Sequence, residues 1–360
     1  MPGYYPPHPD DDALSGDSIG TSLYFGAVGV LWGIARLSTT GIVHDQRDWV
    51  RTRLDTVIDA TVGASFGDGS LLLGRLPAFV LRAQLSPTEA AADLDTIHAT
   101  LTATAAGPVQ ELMWGIPGAA LISEALLRST GEARWRDLLV RQLDAIWAAR
   151  VDRPGVGLFW DEEIYGERNA YLGLIHGFAG QVLPLLRALT LLSDARRRQL
   201  VRAAPQTLRR TARHDAGRVN WPNLAGDEKS PCVVQMCHGA PGIVSAFAPV
   251  PERDLGGIGD LLNGAGELIW RAGPLTKGAN LCHGTAGNGL ALLKLFDRSG
   301  DEIWLERARA FAMHAIHRYQ ATRRRVGRDR YSLWTGDIGI ALFLEQCIGK
   351  VASLPGIDDL

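Results

Sequence analysis

The charge and the motifs of this sequence exclude several common classes of protein. Its 37 lysines and arginines nearly balance its 39 aspartates and glutamates, so the formal net charge is only −2. A basic excess marks proteins that bind nucleic acid or anionic membranes, and we therefore expect neither partner. No apolar run reaches the roughly 18 residues that would predict a membrane span. Phosphate-binding loops, dinucleotide fingerprints and kinase signatures are missing as well.

Cysteine is also scarce. Four cysteines in 360 residues do not make a disulfide framework, and they suit a reducing compartment in which free thiols can bind metal. The N-terminal stretch is polar, proline-rich and acidic, unlike a signal or transit peptide. We predict that residues 1–18 form a disordered arm and that the protein is cytoplasmic.

Two of the four cysteines lie in matching motifs. The sequence Cys-His-Gly occurs at 237–239 and again at 282–284. Cys237, Cys282 and one or both of the following histidines, His238 and His283, could supply three ligands to Zn²⁺ and leave one position open. Three protein ligands and an open position are typical of a catalytic zinc, whereas structural zinc has four. The alternative is that both thiols are buried as small hydrophobic side chains.

A longer repeat surrounds these motifs. The turn Gly-x-x-Gly recurs, each time opening an apolar helical stretch, and the copies are 41 to 62 residues apart; the clear copies begin at Gly26, Gly115, Gly177, Gly239, Gly284 and Gly336, and a degenerate copy lies near Gly67. A period of this size indicates a repeat architecture. The segments after the turns are apolar nearly all round, as in buried helices, and alternate with amphipathic segments. The sequence therefore predicts an all-α fold, a seven-fold α/α toroid with inner and outer rings of helices. An open solenoid is the alternative.

In such a toroid every turn lies at the same mouth, so the residues before the glycines converge although they are far apart in sequence. These residues are Phe25, Trp114, His176, His238 after Cys237, His283 after Cys282, and Thr335. Paired glycines allow the close backbone approach that the arrangement needs.

With these motifs, residues 20–348 resemble the LanC-like family, which comprises the lanthionine cyclases of lanthipeptide biosynthesis and their eukaryotic LanC-like relatives. The most specific segments are Gly-Leu-Ile-His-Gly-Phe-Ala-Gly at 173–180, Met-Cys-His-Gly-Ala-Pro-Gly-Ile at 236–243 and Leu-Cys-His-Gly-Thr-Ala-Gly-Asn at 281–288. The resemblance implies a seven-fold α/α barrel with one zinc ion. We accordingly predict a LanC-like barrel domain over residues 19–348 and a C-terminal tail over residues 349–360.

The resemblance also assigns roles to individual residues. It implies that Cys237, Cys282 and His283 hold the zinc, while His238 lies beside the metal and contacts substrate. It implies that His176 protonates the enolate carbon after sulfur adds to a dehydroamino acid, or handles the thiol proton.

Other positions distinguish the branches of the family. Glu111, assigned here to the catalytic site, stands where the peptide cyclases have aspartate and matches the eukaryotic LanC-like proteins. Val233 stands where the nisin-cyclase type has arginine. Lys277 and Arg330 match positions that contact glutathione in the eukaryotic proteins, and both suit a carboxylate.

The function implied is a zinc-dependent addition of a thiol to dehydroalanine or dehydrobutyrine, forming a thioether in a peptide. The leading version is a lanthionine cyclase-like enzyme acting on a dehydrated peptide, with dehydration done by a separate dehydratase. The alternatives are addition of glutathione to dehydroamino acids, and a non-catalytic scaffold that binds glutathione or peptide and keeps zinc for stability.

Overall fold

The computed structural model describes residues 8–9, 21–60, 67–164 and 166–360. The predicted N-terminal arm therefore lies outside the described residues, apart from His8 and Pro9. None of the helices in the described ranges combines the length and the apolar character needed to cross a bilayer.

Seven helices of the described chain form an inner ring. They are α1 (Ala27–Thr39), α3 (Leu76–Leu85), α5 (Ile116–Thr130), α7 (Phe178–Arg187), α9 (Ala240–Phe247), α12 (Thr285–Ser299) and α14 (Asp337–Gly349). They are apolar on most faces; in α9 all eight residues are buried. Helices that are hydrophobic all round need neighbours on every side, and a second ring supplies them.

That outer ring consists of amphipathic helices. Those within the described ranges are α2 (Arg47–Ala60), α4 (Ala91–Ala105), α6 (Ala133–Ala148), α8 (Asp194–Thr211), α11 (Gly259–Ala272) and α13 (Glu302–Val326), together with the short α10 (Glu252–Leu255). In α13 the buried residues follow one face, including Trp304, Leu305 and Ala308, as expected for a helix between core and water.

Short antiparallel hairpins interrupt the helical pattern after α6 and α8. The strands are β1 (Val151–Arg153) with β2 (Gly157–Phe159), β3 (Glu162–Ile164) with β4 (Glu167–Asn169), and β5 (Arg213–Asp215) with β6 (Arg218–Asn220). These hairpins account for the two longest spacings of the repeat.

In five of the seven copies the second glycine of the turn lies against the neighbouring copy. A Cβ atom at Gly242 would lie 2.3 Å from the Met236 carbonyl oxygen and 2.9 Å from Cβ of Leu174, in the preceding copy. A Cβ atom at Gly29 would likewise lie 2.8 Å from Cβ of Leu333, so the first and seventh copies are neighbours. The ring is closed, and the predicted seven-fold α/α toroid is confirmed.

Copy two of the repeat differs from the sequence prediction. Its helix begins at Leu76, and the turn before it contains Gly74, whose amide donates to the Ser70 carbonyl as that of Gly115 does to Glu111. The copy therefore begins at Gly74, not near Gly67, and Pro77 stands where other copies have their second glycine.

Backbone hydrogen bonds link the copies at the mouth. In each bond the backbone amide of the first residue donates to the carbonyl of the second: Met236 to Cys282 (3.1 Å), Cys282 to Trp334 (3.0 Å), Trp334 to Tyr24 (3.2 Å), Tyr24 to Leu72 (2.9 Å) and Leu72 to Met113 (2.9 Å). These bonds hold the adjacent turns level with one another at the mouth. They also bring the segments that carry Cys237 and Cys282 side by side.

Residues 352–360 pack into the ring from the end opposite the mouth. Leu354 and Ile357 are buried. Asp358 accepts hydrogen bonds from Arg187, in the last turn of α7, and from Lys294 of α12. The segment therefore joins inner helices that are distant in sequence.

Candidate functional site

The residues that precede the first glycines line the mouth of the toroid. Phe25, Trp114, His176, His238 and His283 are half-buried, whereas the residues on either side of each are buried. At copies four and five the glycines Gly177 and Gly239 have φ values of +122° and +97°, which side-chain-bearing residues rarely adopt. Their glycine identity is therefore needed to turn the preceding histidine toward the mouth.

A candidate metal centre lies at copies five and six. The Sγ atoms of Cys237 and Cys282 and a ring nitrogen of His283 all lie within 4.8 Å of one another. Cys282 Sγ is 3.4 Å from His283 Nε2. Both cysteines are buried, with exposures of 5% and 1%. Two thiols and an imidazole that converge in this way fit zinc, and a set of three ligands suits a catalytic site.

The two thiols differ in acidity. Hydrogen bonding by Cys282 and by His283 lowers the pKa of Cys237 well below its usual value, against the effect of burial. Burial raises the pKa of Cys282 well above its usual value. Cys237 is therefore the cysteine whose thiolate form is favoured most by its surroundings.

Tyr24 extends this cluster from copy one. Its ring stacks on Trp334 with centroids 5.8 Å apart, and its side chain is hydrogen-bonded to Cys282. Burial raises the pKa of the Tyr24 phenol well above its usual value, so the neutral hydroxyl is available to donate to the sulfur. Sequence reasoning missed this residue because it lies one position before Phe25, outside the register of the other mouth residues.

Copies three and four contribute an acid–base pair. His176 Nδ1 lies 2.7 Å from Oε1 of Glu111, which is 1% exposed. The other oxygen, Oε2, accepts the Trp114 amide at 2.9 Å. The Trp114 ring lies beside His176 with centroids 5.6 Å apart. Glu111 thus caps its own turn with one oxygen and orients the imidazole with the other.

The environment of this pair favours a charged histidine. Burial disfavours the imidazolium, but the hydrogen bond and charge of Glu111 outweigh it, so the pKa of His176 lies above its usual value. Burial likewise raises the pKa of Glu111, and His176 opposes that rise. His176 therefore retains its proton to higher pH than an isolated histidine.

His238 lies between the two groups. Its ring centroid is 5.8 Å from those of His176 and Tyr171. Burial lowers its pKa, and it is not one of the converging residues of the candidate metal centre within the described chain. Gly173 makes room for it, because a Cβ atom there would lie 2.8 Å from His238 Nδ1.

The two predicted carboxylate-binding residues lie on the copy-six and copy-seven side of the mouth. Lys277 is exposed, and its charge acts to lower the pKa of Cys282. Arg330 is half-buried; its charge acts on Tyr24, and its amide donates to Asp337 at 2.7 Å. The structure therefore brings both basic residues near the cysteine end of the site, away from Glu111.

The fold and these side chains define a closed helical toroid with a candidate thiol–imidazole metal centre and a carboxylate–histidine pair at one mouth. A sequence model of the family described as Lanthionine synthetase C-like protein matches residues 152–358. This is more than half of the chain, and the protein belongs to that family.

Individual proteins are similar to parts of this chain. Glutathione S-transferase LANCL1 of Danio rerio is 30% identical over 184 residues, which cover 50% of this chain and 44% of that protein. LanC-like protein GCL1 of Arabidopsis thaliana is 32% identical over 149 residues, covering 39% and 33%. The chain thus spans less than half the length of the curated relatives it matches.

One solved structure shows the same fold. Nisin cyclase superposes with a TM-score of 0.70 over 95% of this chain and 91% of its own, at 16% sequence identity.

Proposed function

We propose that this protein adds a thiol to dehydroalanine or dehydrobutyrine in a peptide, forming a thioether at a zinc site held by Cys237, Cys282 and His283. The observation that carries the proposal is the convergence of these three ligand atoms, two of them from buried cysteines, at the same mouth as the Glu111–His176 pair. Zinc bound there supplies Lewis acidity, which lowers the pKa of a thiol.

The ligand set suits a nucleophilic sulfur. Two thiolates and one neutral imidazole nearly offset a charge of 2+. A thiol bound beside them can then lose its proton and remain electron-rich enough to attack carbon, whereas a more cationic site would give a weaker nucleophile.

His176 provides the proton that completes the addition. Attack of sulfur on the β-carbon leaves an enolate, and its α-carbon must take up a proton. Glu111 occupies Nδ1 of the imidazole, so the other ring nitrogen exchanges the proton. The raised pKa of His176 makes its acid form more populated than that of an isolated histidine at the same pH, which suits a general acid.

Two thiol substrates fit this chemistry. A cysteine of the same peptide would make the protein a lanthionine cyclase-like enzyme, working after a separate dehydratase. Glutathione is the second candidate, and the position of Lys277 and Arg330 near the cysteine end favours it, because each can pair with a carboxylate. The Danio rerio relative is named a glutathione S-transferase, which agrees with that version.

The experiment uses zinc-loaded protein and two synthetic peptides. One contains dehydroalanine and a cysteine; the other contains dehydroalanine alone and is supplied with glutathione. Mass spectrometry after alkylation of free thiols reports ring closure in the first and addition of glutathione in the second. We expect thioether in at least one, formed roughly 10²–10⁴ times more slowly with His176→Asn. Absence of product from both peptides, with full zinc occupancy, would favour the non-catalytic scaffold.

A further inference from the structure

Glu162, in β3, is a buried acid next to the site. It is 3% exposed, whereas the adjacent Glu163 is exposed and Asp161 pairs with Arg153 near the surface. The sequence Asp-Glu-Glu at 161–163 suggests an acidic rim loop, but the alternation of a strand turns the middle residue inward. An acid buried to this extent is uncommon unless it is paired or hydrogen-bonded.

The hydrogen bonds of Glu162 lead to both members of the acid–base pair. Its Oε1 accepts from Gln181 Nε2 at 2.6 Å, and the same amide donates to the Gln110 carbonyl at 2.7 Å. The backbone amide of Gly177 is also hydrogen-bonded to the Glu162 carboxyl. Gln110 directly precedes Glu111, and Gly177 directly follows His176. The Glu162 carboxyl is therefore hydrogen-bonded directly to the turn that carries His176 and, through Gln181, to the turn that carries Glu111.

We propose that Glu162 is a positioning residue for the Glu111–His176 pair. It holds the two turns at the separation that lets the Glu111 carboxylate contact the His176 imidazole. Its part in the reaction rests on the function proposed above; its effect on the pair does not. Gly177 has a positive φ and no side chain, so its amide is one of the few groups through which this turn can be held in place.

The charge state of Glu162 follows from its surroundings. Burial raises its pKa well above the usual value, and the negative charge of Glu111 raises it further. A neutral carboxyl at Glu162 leaves Glu111 as the carboxylate that stabilises the protonated form of His176. The other titratable groups that act on the imidazole or lie against it are Cys237 and His238.

The test compares Glu162→Ala, Glu162→Gln and the matched control Glu163→Gln, which changes the exposed neighbour on the same strand. NMR titration of zinc-loaded protein labelled at its nine histidines, with His176→Asn to identify the signal, measures the pKa of His176. We expect Glu162→Ala to lower that pKa by about one unit, because Glu111 would no longer be held against the imidazole whose protonated form it stabilises. It should lower kcat about tenfold, with KM and zinc content unchanged.

Glu162→Gln should behave like wild type, because a neutral amide can accept the same hydrogen bonds, and Glu163→Gln should do so as well. An unchanged His176 pKa in Glu162→Ala would overturn the proposal. If Glu162→Gln shifted the His176 pKa as much as Glu162→Ala, Glu162 would act through a charged carboxylate. That result would also contradict the proposal. Should Glu162→Ala fail to fold, Gln181→Met removes one of the two links and must still lower the His176 pKa. A shifted pKa in a protein that forms no thioether would uphold the positioning role and reject the proposed function.

Discussion

At the scale of single residues, the proposed function assigns proton transfer to His176 and zinc binding to Cys237 and Cys282, so the two roles can be separated by mutation. His176→Asn should keep zinc and fold but lose roughly 10²–10⁴ in rate, the usual contribution of a general acid. Wild-type kcat should fall as pH rises through the raised pKa of His176, because the acid form disappears, and the variant should lack that limb.

Steady-state kinetics across pH, with metal analysis of each preparation, checks this prediction. His317→Asn, on the exposed face of α13, is the control and should behave like wild type. Zinc lost together with activity in His176→Asn would show that His176 is a ligand.

Arg330 tests the identity of the thiol. If glutathione is the substrate, Arg330→Ala should weaken its binding by about 1.5–3 kcal/mol, the contribution of a hydrogen bond to a charged group. Calorimetric titration of glutathione measures it, and Arg328→Ala, an exposed arginine two residues away, should leave the affinity unchanged. Absence of binding to wild-type protein would exclude glutathione and leave the peptide cysteine.

At the scale of helices and turns, the second glycine of the repeat allows neighbouring copies to touch in five of the seven copies. Gly242→Ala forces a methyl group against the Met236 carbonyl and Leu174, and we expect a loss of about 1–3 kcal/mol in the free energy of unfolding. Gly259→Ala is the control: its nearest neighbour would be 3.8 Å away, so it should be neutral or stabilising by about 0.4–1 kcal/mol. Equal denaturation midpoints for the two variants would contradict this account of the turn.

The same turns show how much of the fold and of the candidate site can be predicted from the sequence. The clear Gly-x-x-Gly copies predict both the ring and the mouth, because in most of them the second glycine allows close contact with the neighbouring copy. Copy two was misplaced because Pro77 replaces the second glycine, and the short-range pattern then matches an unrelated pair, Gly67 and Gly69. Motif spacing alone finds the site residues only where the motif is intact.

Two further site residues have no sequence signal of that kind. Tyr24 reaches Cys282 because the ring closes copy seven onto copy one. Glu162 faces inward because it begins a three-residue strand in which the next residue, Glu163, is exposed. Both depend on contacts between distant segments, and local propensity does not encode these.

At the scale of the whole molecule, the toroid is closed at the mouth by backbone hydrogen bonds and at the other end by residues 352–360. Asp358 is central there, because it pairs with Lys294, which is 4% exposed. Asp358→Asn should cost about 3 kcal/mol, since it leaves a buried ammonium without its counter-charge. Asp95→Asn breaks an exposed pair with Arg134 and should change stability by no more than about 0.5 kcal/mol. Denaturant unfolding of both variants at equal zinc content measures these changes in stability. A loss for Asp358→Asn as small as that for Asp95→Asn would contradict the conclusion that Asp358 stabilises this end of the toroid.

The zinc content of the purified protein tests most directly whether the mouth of this toroid is a metal centre. Elemental analysis should give about one zinc per chain for wild type and for Cys347→Ala, which removes a buried thiol outside the site. It should give little or none for Cys282→Ala, which leaves two of the three ligands, and for the Cys237→Ala, Cys282→Ala double variant, which leaves one imidazole, because zinc sites in proteins have at least three protein ligands. Full zinc occupancy in the double variant would contradict the assignment of the site.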